Sequence, residues 1–106
     1  MEHSILQRGT TPVHSFTLPD DLKEVELAAL YITYAQSGTV RLEKTMDEVA
    51  VNSGVITVQL TQEDTLLFRA KATVRIQIRL RTAAGDALAS DVIEVPVGAI
   101  LKDGVI

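Results

Sequence analysis

The sequence contains no cysteine and no tryptophan. Without cysteine there is no disulfide framework, no thiolate zinc site and no cysteine nucleophile. Aromatic residues are few, only Phe16, Phe68, Tyr31 and Tyr34, so a core must be built mainly from Val, Ile, Leu and Ala. Long apolar runs are missing too. The longest nearly apolar stretch, Leu27 to Ile32, falls far short of the ~20 residues that span a bilayer. Met1-Glu2-His3-Ser4 is not a basic stretch leading into an apolar one, so no secretory leader is expected. Excess positive charge is absent as well. A formal net charge of −4 disfavours non-specific binding to nucleic acid or to anionic membranes.

What is present suits one globular domain. At 106 residues, 46% hydrophobic and 23% charged, residues 1–106 have room for a single core, with about 65% of the unfolded surface buried. The strongest pattern runs from Lys71 to Arg81, where every even residue is apolar and every odd one polar. A period of two places Ala72, Val74, Ile76, Ile78 and Leu80 on one face of a strand, whereas a helix would scatter them. Val55 to Leu60 is rich in β-branched residues, and Asn52-Ser53-Gly54 before it is turn chemistry. Val49 to Leu60 therefore reads as a hairpin.

Ala83-Ala84-Gly85-Asp86 closes a second hairpin into Ala87 to Val97. There the apolar face changes parity near Val92, because Leu88 and Val92 are even while Ile93, Val95 and Val97 are odd. A β-bulge reconciles the two halves. Pro96, lacking an N–H, belongs at a sheet edge or at the last pairing of its strand. Between Asp20 and Gln36 a capping box (Asp21 with Glu24) competes with the β-rich Leu30-Tyr31-Ile32-Thr33-Tyr34. The reading adopted is one helical turn at Asp20 to Lys23 and a strand from about Glu26 to Ala35, running through a turn at Ser37-Gly38 into Val40-Arg41-Leu42. Gln62 to Thr65 is a second helical turn. About seven short strands with one or two helical turns give an all-β, immunoglobulin-like antiparallel sandwich.

Five of the ten basic residues lie between Arg69 and Arg81, with no acidic residue between Asp64 and Asp86. Arginines two apart on a strand are about 6.6 Å apart. That suits phosphates, but no aromatics interleave to stack bases. The stripe is either a solvated face paired with Asp91 or Glu94, or a surface that docks a partner protein. As docking contacts, Arg75, Arg79 and Arg81 are the candidates, with Arg8, Thr10 and Pro12 from an N-terminal arm within residues 1–12. His14 shares parity with Phe16 and is expected to turn inward onto a backbone carbonyl. It has no Gly-x-Ser-x-Gly partner motif, and with His3 alone it makes a poor metal site. Asp20-Asp21 and Glu63-Asp64 are expected to cap the two helical turns. Neither they nor Asp47-Glu48 has the alternation of a calcium loop. No catalytic residue, metal site, cofactor or small-molecule substrate is expected.

Several stretches, in order, carry a family resemblance: Arg8-Gly9-Thr10-Thr11-Pro12, Phe16-Thr17-Leu18-Pro19, Ile32-Thr33-Tyr34-Ala35-Gln36, Leu60-Thr61-Gln62-Glu63-Asp64-Thr65-Leu66, Ile76-Gln77-Ile78-Arg79 and Gly85-Asp86-Ala87-Leu88-Ala89-Ser90. Together, from about Arg8 to Leu101, they resemble small all-β proteins encoded by phages and prophages of Gram-positive gut bacteria. The resemblance implies a non-enzymatic virion structural or assembly protein, a tail or baseplate accessory module. Such a protein docks with other phage structural proteins or with itself as a homo-oligomer. It would work in the host cytoplasm during assembly and then in the virion, with no membrane or nucleic-acid partner. The alternative is a sandwich module that binds glycans or the host surface.

Overall fold

The structure, a computed structural model, describes residues 6–106. Among the described residues nine strands form two sheets: β1 (Leu6–Gln7), β2 (Val13–Thr17), β3 (Leu27–Gln36), β4 (Thr39–Thr45), β5 (Ala50–Asn52), β6 (Val55–Gln59), β7 (Thr73–Thr82), β8 (Ala87–Ala89) and β9 (Ile93–Gly98). The larger sheet has the order β1-β9-β7-β3-β4 with β8 also on β7, and the smaller has the order β2-β6-β5. This is the strand arrangement of an immunoglobulin-type sandwich. β2, β5 and β6 form one layer and the remaining strands the other. The first strand pairs parallel with the last, Leu6 opposite Val97.

Both hairpins expected from Ser-Gly sequences form. Gln36 pairs with Thr39 and Asn52 with Val55, leaving two-residue loops. Ser37 and Gly38 have φ 51° and 78°, and Ser53 and Gly54 have 52° and 79°. Two successive positive φ values are the mark of the type I′ turn, whose twist matches that of the strands it joins. At Gly54 the demand is double, because a Cβ there would collide with the Lys23 side chain.

The expected bulge is also present. Ile76 pairs with Ile93 and Arg79 with Ala89, so Gln77 and Ile78 face three residues, Ser90, Asp91 and Val92. Ser90 stands in for the broken ladder. Its N–H donates to the Ile78 carbonyl (2.8 Å), and its Oγ accepts from the Ile78 N–H (3.0 Å). Pro96 sits opposite Thr73, the first residue of β7 and the last pairing of the two strands.

A 3-10 turn at Asp20–Leu22 precedes β3, as expected. Its predicted caps do not form. Pro19 holds the cap position with no side-chain bond, and Asp20 instead pairs with Lys23 at 3.0 Å. The second turn is the helix α1 (Gln62–Leu66), capped by a reciprocal box in which Thr61 and Asp64 bond each other's backbone N–H. A third turn, Met46–Glu48, carries the same device between Thr45 and Glu48.

The even residues of β7 are buried, as the alternation requires, and meet Leu30, Ile32 and Tyr34 of β3 and Ile56 and Val58 of β6. Tyr34 and Phe68 are the largest fully buried side chains, their rings 5.8 Å apart. His14 turns inward, but its partner is a side chain rather than the expected carbonyl: Nδ1 lies 2.8 Å from the Tyr34 hydroxyl. This contact joins the two sheets through the core. His3 lies outside the described residues.

Candidate docking face

The period-two pattern of β7 sends Arg75, Arg79 and Arg81 to the outer side of the larger sheet, where all three are exposed. The sheet register decides what flanks them. Arg75 lies between Ala35 and Glu94, Arg79 between Tyr31 and Ala89, and Arg81 between Ala29 and Ala87. An alanine flanks each arginine on at least one side and leaves low ground beside it. One pit of about 230 Å³ lies beside Arg75, floored by Thr33 and Ala35. A second of about 160 Å³ lies among Ala29, Tyr31, Arg79 and Arg81.

The expected cross-strand acid accounts for one arginine. Arg75 Nε is 3.7 Å from Glu94 with both side chains more than half exposed, a contact worth about 0–1 kcal/mol. Asp91 is exposed in the bulge. Among the described residues neither Arg79 nor Arg81 forms an ion pair. Arg69, beyond the start of β7, donates to the Ser37 hydroxyl at 3.3 Å. The sheet face is therefore basic, and apart from Glu43 and Glu94 it has no negative charge of its own.

The residues proposed for an N-terminal arm are placed differently. Arg8 is spent inside the domain: Nε donates to the Phe68 carbonyl (2.8 Å), Nη2 to the Leu66 carbonyl (3.3 Å), and Nη1 pairs with Asp103 (3.2 Å). Two of these acceptors are carbonyls at the C-terminal end of α1, groups no helical N–H can reach. Thr10 bonds the Gln7 carbonyl through its hydroxyl, and its own carbonyl accepts from Thr65. The Pro12 carbonyl accepts the Leu60 N–H at 2.9 Å. Residues 6–12 are thus stapled to their own domain and do not share the β7 face. The rest of the expected arm, residues 1–5, lies outside the described residues.

Two clusters escaped the sequence reading. Lys44 on β4 lies 2.9 Å from Asp64 and 3.8 Å from Glu48, tying together the two capping boxes, with Lys44 and Asp64 side chains only 12% and 15% exposed. Burial alone would raise the Asp64 carboxyl, but the Thr61 N–H and Lys44 outweigh it and hold it below the usual range. The Glu48 carboxyl is lowered, chiefly by the Thr45 N–H. Tyr34 is pushed up by burial and by the Asp64 charge, and His14 is pushed down by burial. Asp64 was expected to cap its turn and does; the Thr45-x-x-Glu48 spacing could have revealed the other box, and the lysine between them had no such signal. The second cluster is Gln36, fully buried, whose amide grips the Arg69 N–H (2.8 Å) and carbonyl (2.9 Å) and sets the loop into β7.

Among the described residues no group of three His, Cys, Asp or Glu side chains could hold a metal ion. No helix among them is long and apolar enough to cross a membrane. No protein-family model and no curated protein matches the chain. Two solved structures are similar to it in fold. The V domain of amphioxus IgVJ-C2 is 14% identical with a TM-score of 0.35, over 87% of this chain and 96% of that one. Drosophila OTK extracellular domains 3–5 are 14% identical with a TM-score of 0.36, over 96% of this chain and 33% of that one.

Proposed function

We propose that this chain is a non-enzymatic docking module that binds an acidic protein surface through the outer face of β7. The setting we propose is the phage particle that its sequence resembles, as a tail or baseplate accessory made in the host cytoplasm. One observation carries the reading: Arg79, between Tyr31 and Ala89, and Arg81, between Ala29 and Ala87, stand exposed with no ion-pair partner among the described residues. Arginine over an apolar floor is the composition that interfaces enrich. A partner's carboxylates would find planar, bidentate donors held in register by the strand.

The test is incorporation into particles. Phage carrying Arg75→Glu, Arg79→Glu and Arg81→Glu together should yield particles that lack the protein, while the purified variant melts as the wild type does. Incorporation at the wild-type copy number would remove the face from the contact. Binding to a glycan array that is lost in Tyr31→Ala would replace this reading with a sugar-binding one, Tyr31 being the aromatic side chain exposed on this face.

A further inference from the structure

The two sheets do not close fully beside the end of β7. An apolar cleft of about 310 Å³ opens there, lined by Phe16, Leu18 and Leu22 on one side and Ile78, Leu80 and Leu88 on the other. It has room for more than one aliphatic side chain. Asp91 sits on its lining and forms no ion pair among the described residues.

The opposite end of the molecule carries exposed apolar side chains. After β9 the chain folds back along α1 and is fixed there. The Gln62 amide accepts from the Ile106 N–H (2.8 Å) and donates to its carbonyl (3.2 Å), Asp103 pairs with Arg8, and Gln7 bonds the Ala99 carbonyl. On this tethered backbone Ile100 packs toward Gly9, while the other large apolar side chains point outward. Leu101 is wholly exposed, Ile106 is 87% exposed and Val105 52%. One exposed leucine is ordinary, but three exposed aliphatic residues on one short segment have the character of a contact surface. Lys102 lies next to Leu101 and has no carboxylate partner among the described residues.

The ridge cannot reach its own cleft. It leaves the sheet at the Thr73 end of β7, and Leu80 lies seven residues along that strand, about 23 Å away. We infer that the ridge at residues 99–106 of one copy enters the cleft between β2 and β8 of a second copy, with Leu101 as anchor and Lys102 facing Asp91. With the copies stacked end to end, ridge and cleft meet only once per contact, so it is heterologous and builds a ring or a filament rather than a two-fold pair. The molecule measures 26 × 25 Å across, so an end-to-end contact buries at most roughly 1,000 Å² in total, at the lower limit of specific interfaces. The contact does not use the β7 arginines.

The test uses two variants of exposed residues in the intact chain, Leu101→Lys on the ridge and Leu88→Lys at the cleft. Sedimentation velocity on wild-type protein should show association that grows with concentration, and each variant should weaken it about tenfold or more. Mixed in equal amounts, the two variants retain one intact ridge and one intact cleft, so they should form a 1:1 dimer that grows no further. The triple arginine variant should associate as the wild type does, so loss of the docking face and loss of this contact are read separately. A wild type that stays monomeric at millimolar concentration overturns the inference. So does a two-fold dimer that mixing does not restore, or association abolished by the arginine changes.

Discussion

The two sheets of this small domain are charged very differently. The three strands of the smaller sheet, Val13–Thr17, Ala50–Asn52 and Val55–Gln59, contain no Lys, Arg, Asp or Glu at all, whereas β4, β7 and β9 of the larger sheet carry seven such residues. Each sheet turns an aliphatic face inward, so hydrophobic burial does the same work in both. Their outer faces differ: one is neutral Ser, Thr, Val and Gln, the other basic and pitted. The inner faces hold the fold, and the exposed arginines are confined to one outer face.

Breaking the common part should cost most. Ile56→Ala in the smaller sheet removes a fully buried side chain and should destabilise by about 2–5 kcal/mol, read from urea midpoints. Asp64→Ala comes next. It strips the cap from α1 and leaves Lys44 poorly solvated, for a loss of about 1–3 kcal/mol in the same measurement.

The link between the sheets is weaker again. Tyr34→Phe removes the hydroxyl that meets His14 and should cost about 1 kcal/mol. It also bears on pH. Burial lowers the folded pKa of His14 below its ordinary 6.5, so the unfolded chain binds the proton more readily. Stability from this residue is whole above pH 6.5 and is lost as pH falls through the lower folded value. Melting curves between pH 7.5 and 5 should show that slope, and His14→Gln should flatten it. The least effect belongs to the outer face: Arg79→Ala and Arg81→Ala should each shift stability by less than about 0.5 kcal/mol while weakening partner binding.

Much of the fold was legible because strand alternation and turn chemistry are local signals. Thr73 to Arg81 could be read as a half-buried strand, and the parity change near Val92 as a bulge, from neighbouring residues alone. Lys71 and Ala72, read into the same strand, form the turn before it, with Lys71 at φ 64°. The outward direction of Arg75, Arg79 and Arg81 followed from the same period. The alanines beneath them were not foreseeable, since they come from β3 and β8 and depend on register. Arg8 misled because its exposed-looking Arg-Gly-Thr-Thr-Pro context says nothing of carbonyls near position 66, almost sixty residues on. Lys44 was hidden for the same reason. His14 was expected inward but was assigned the wrong acceptor, because Tyr34 belongs to the other sheet.

The two Ser-Gly hairpin loops leave slack in the molecule. Serine tolerates the left-handed backbone of Ser37 and Ser53 less well than asparagine does. At Ser53 one substitution would toughen the protein without touching either the basic face or the apolar cleft, whereas at Ser37 it would also give up the hydroxyl that Arg69 bonds. A version built to survive heat would begin at the Ser53 corner.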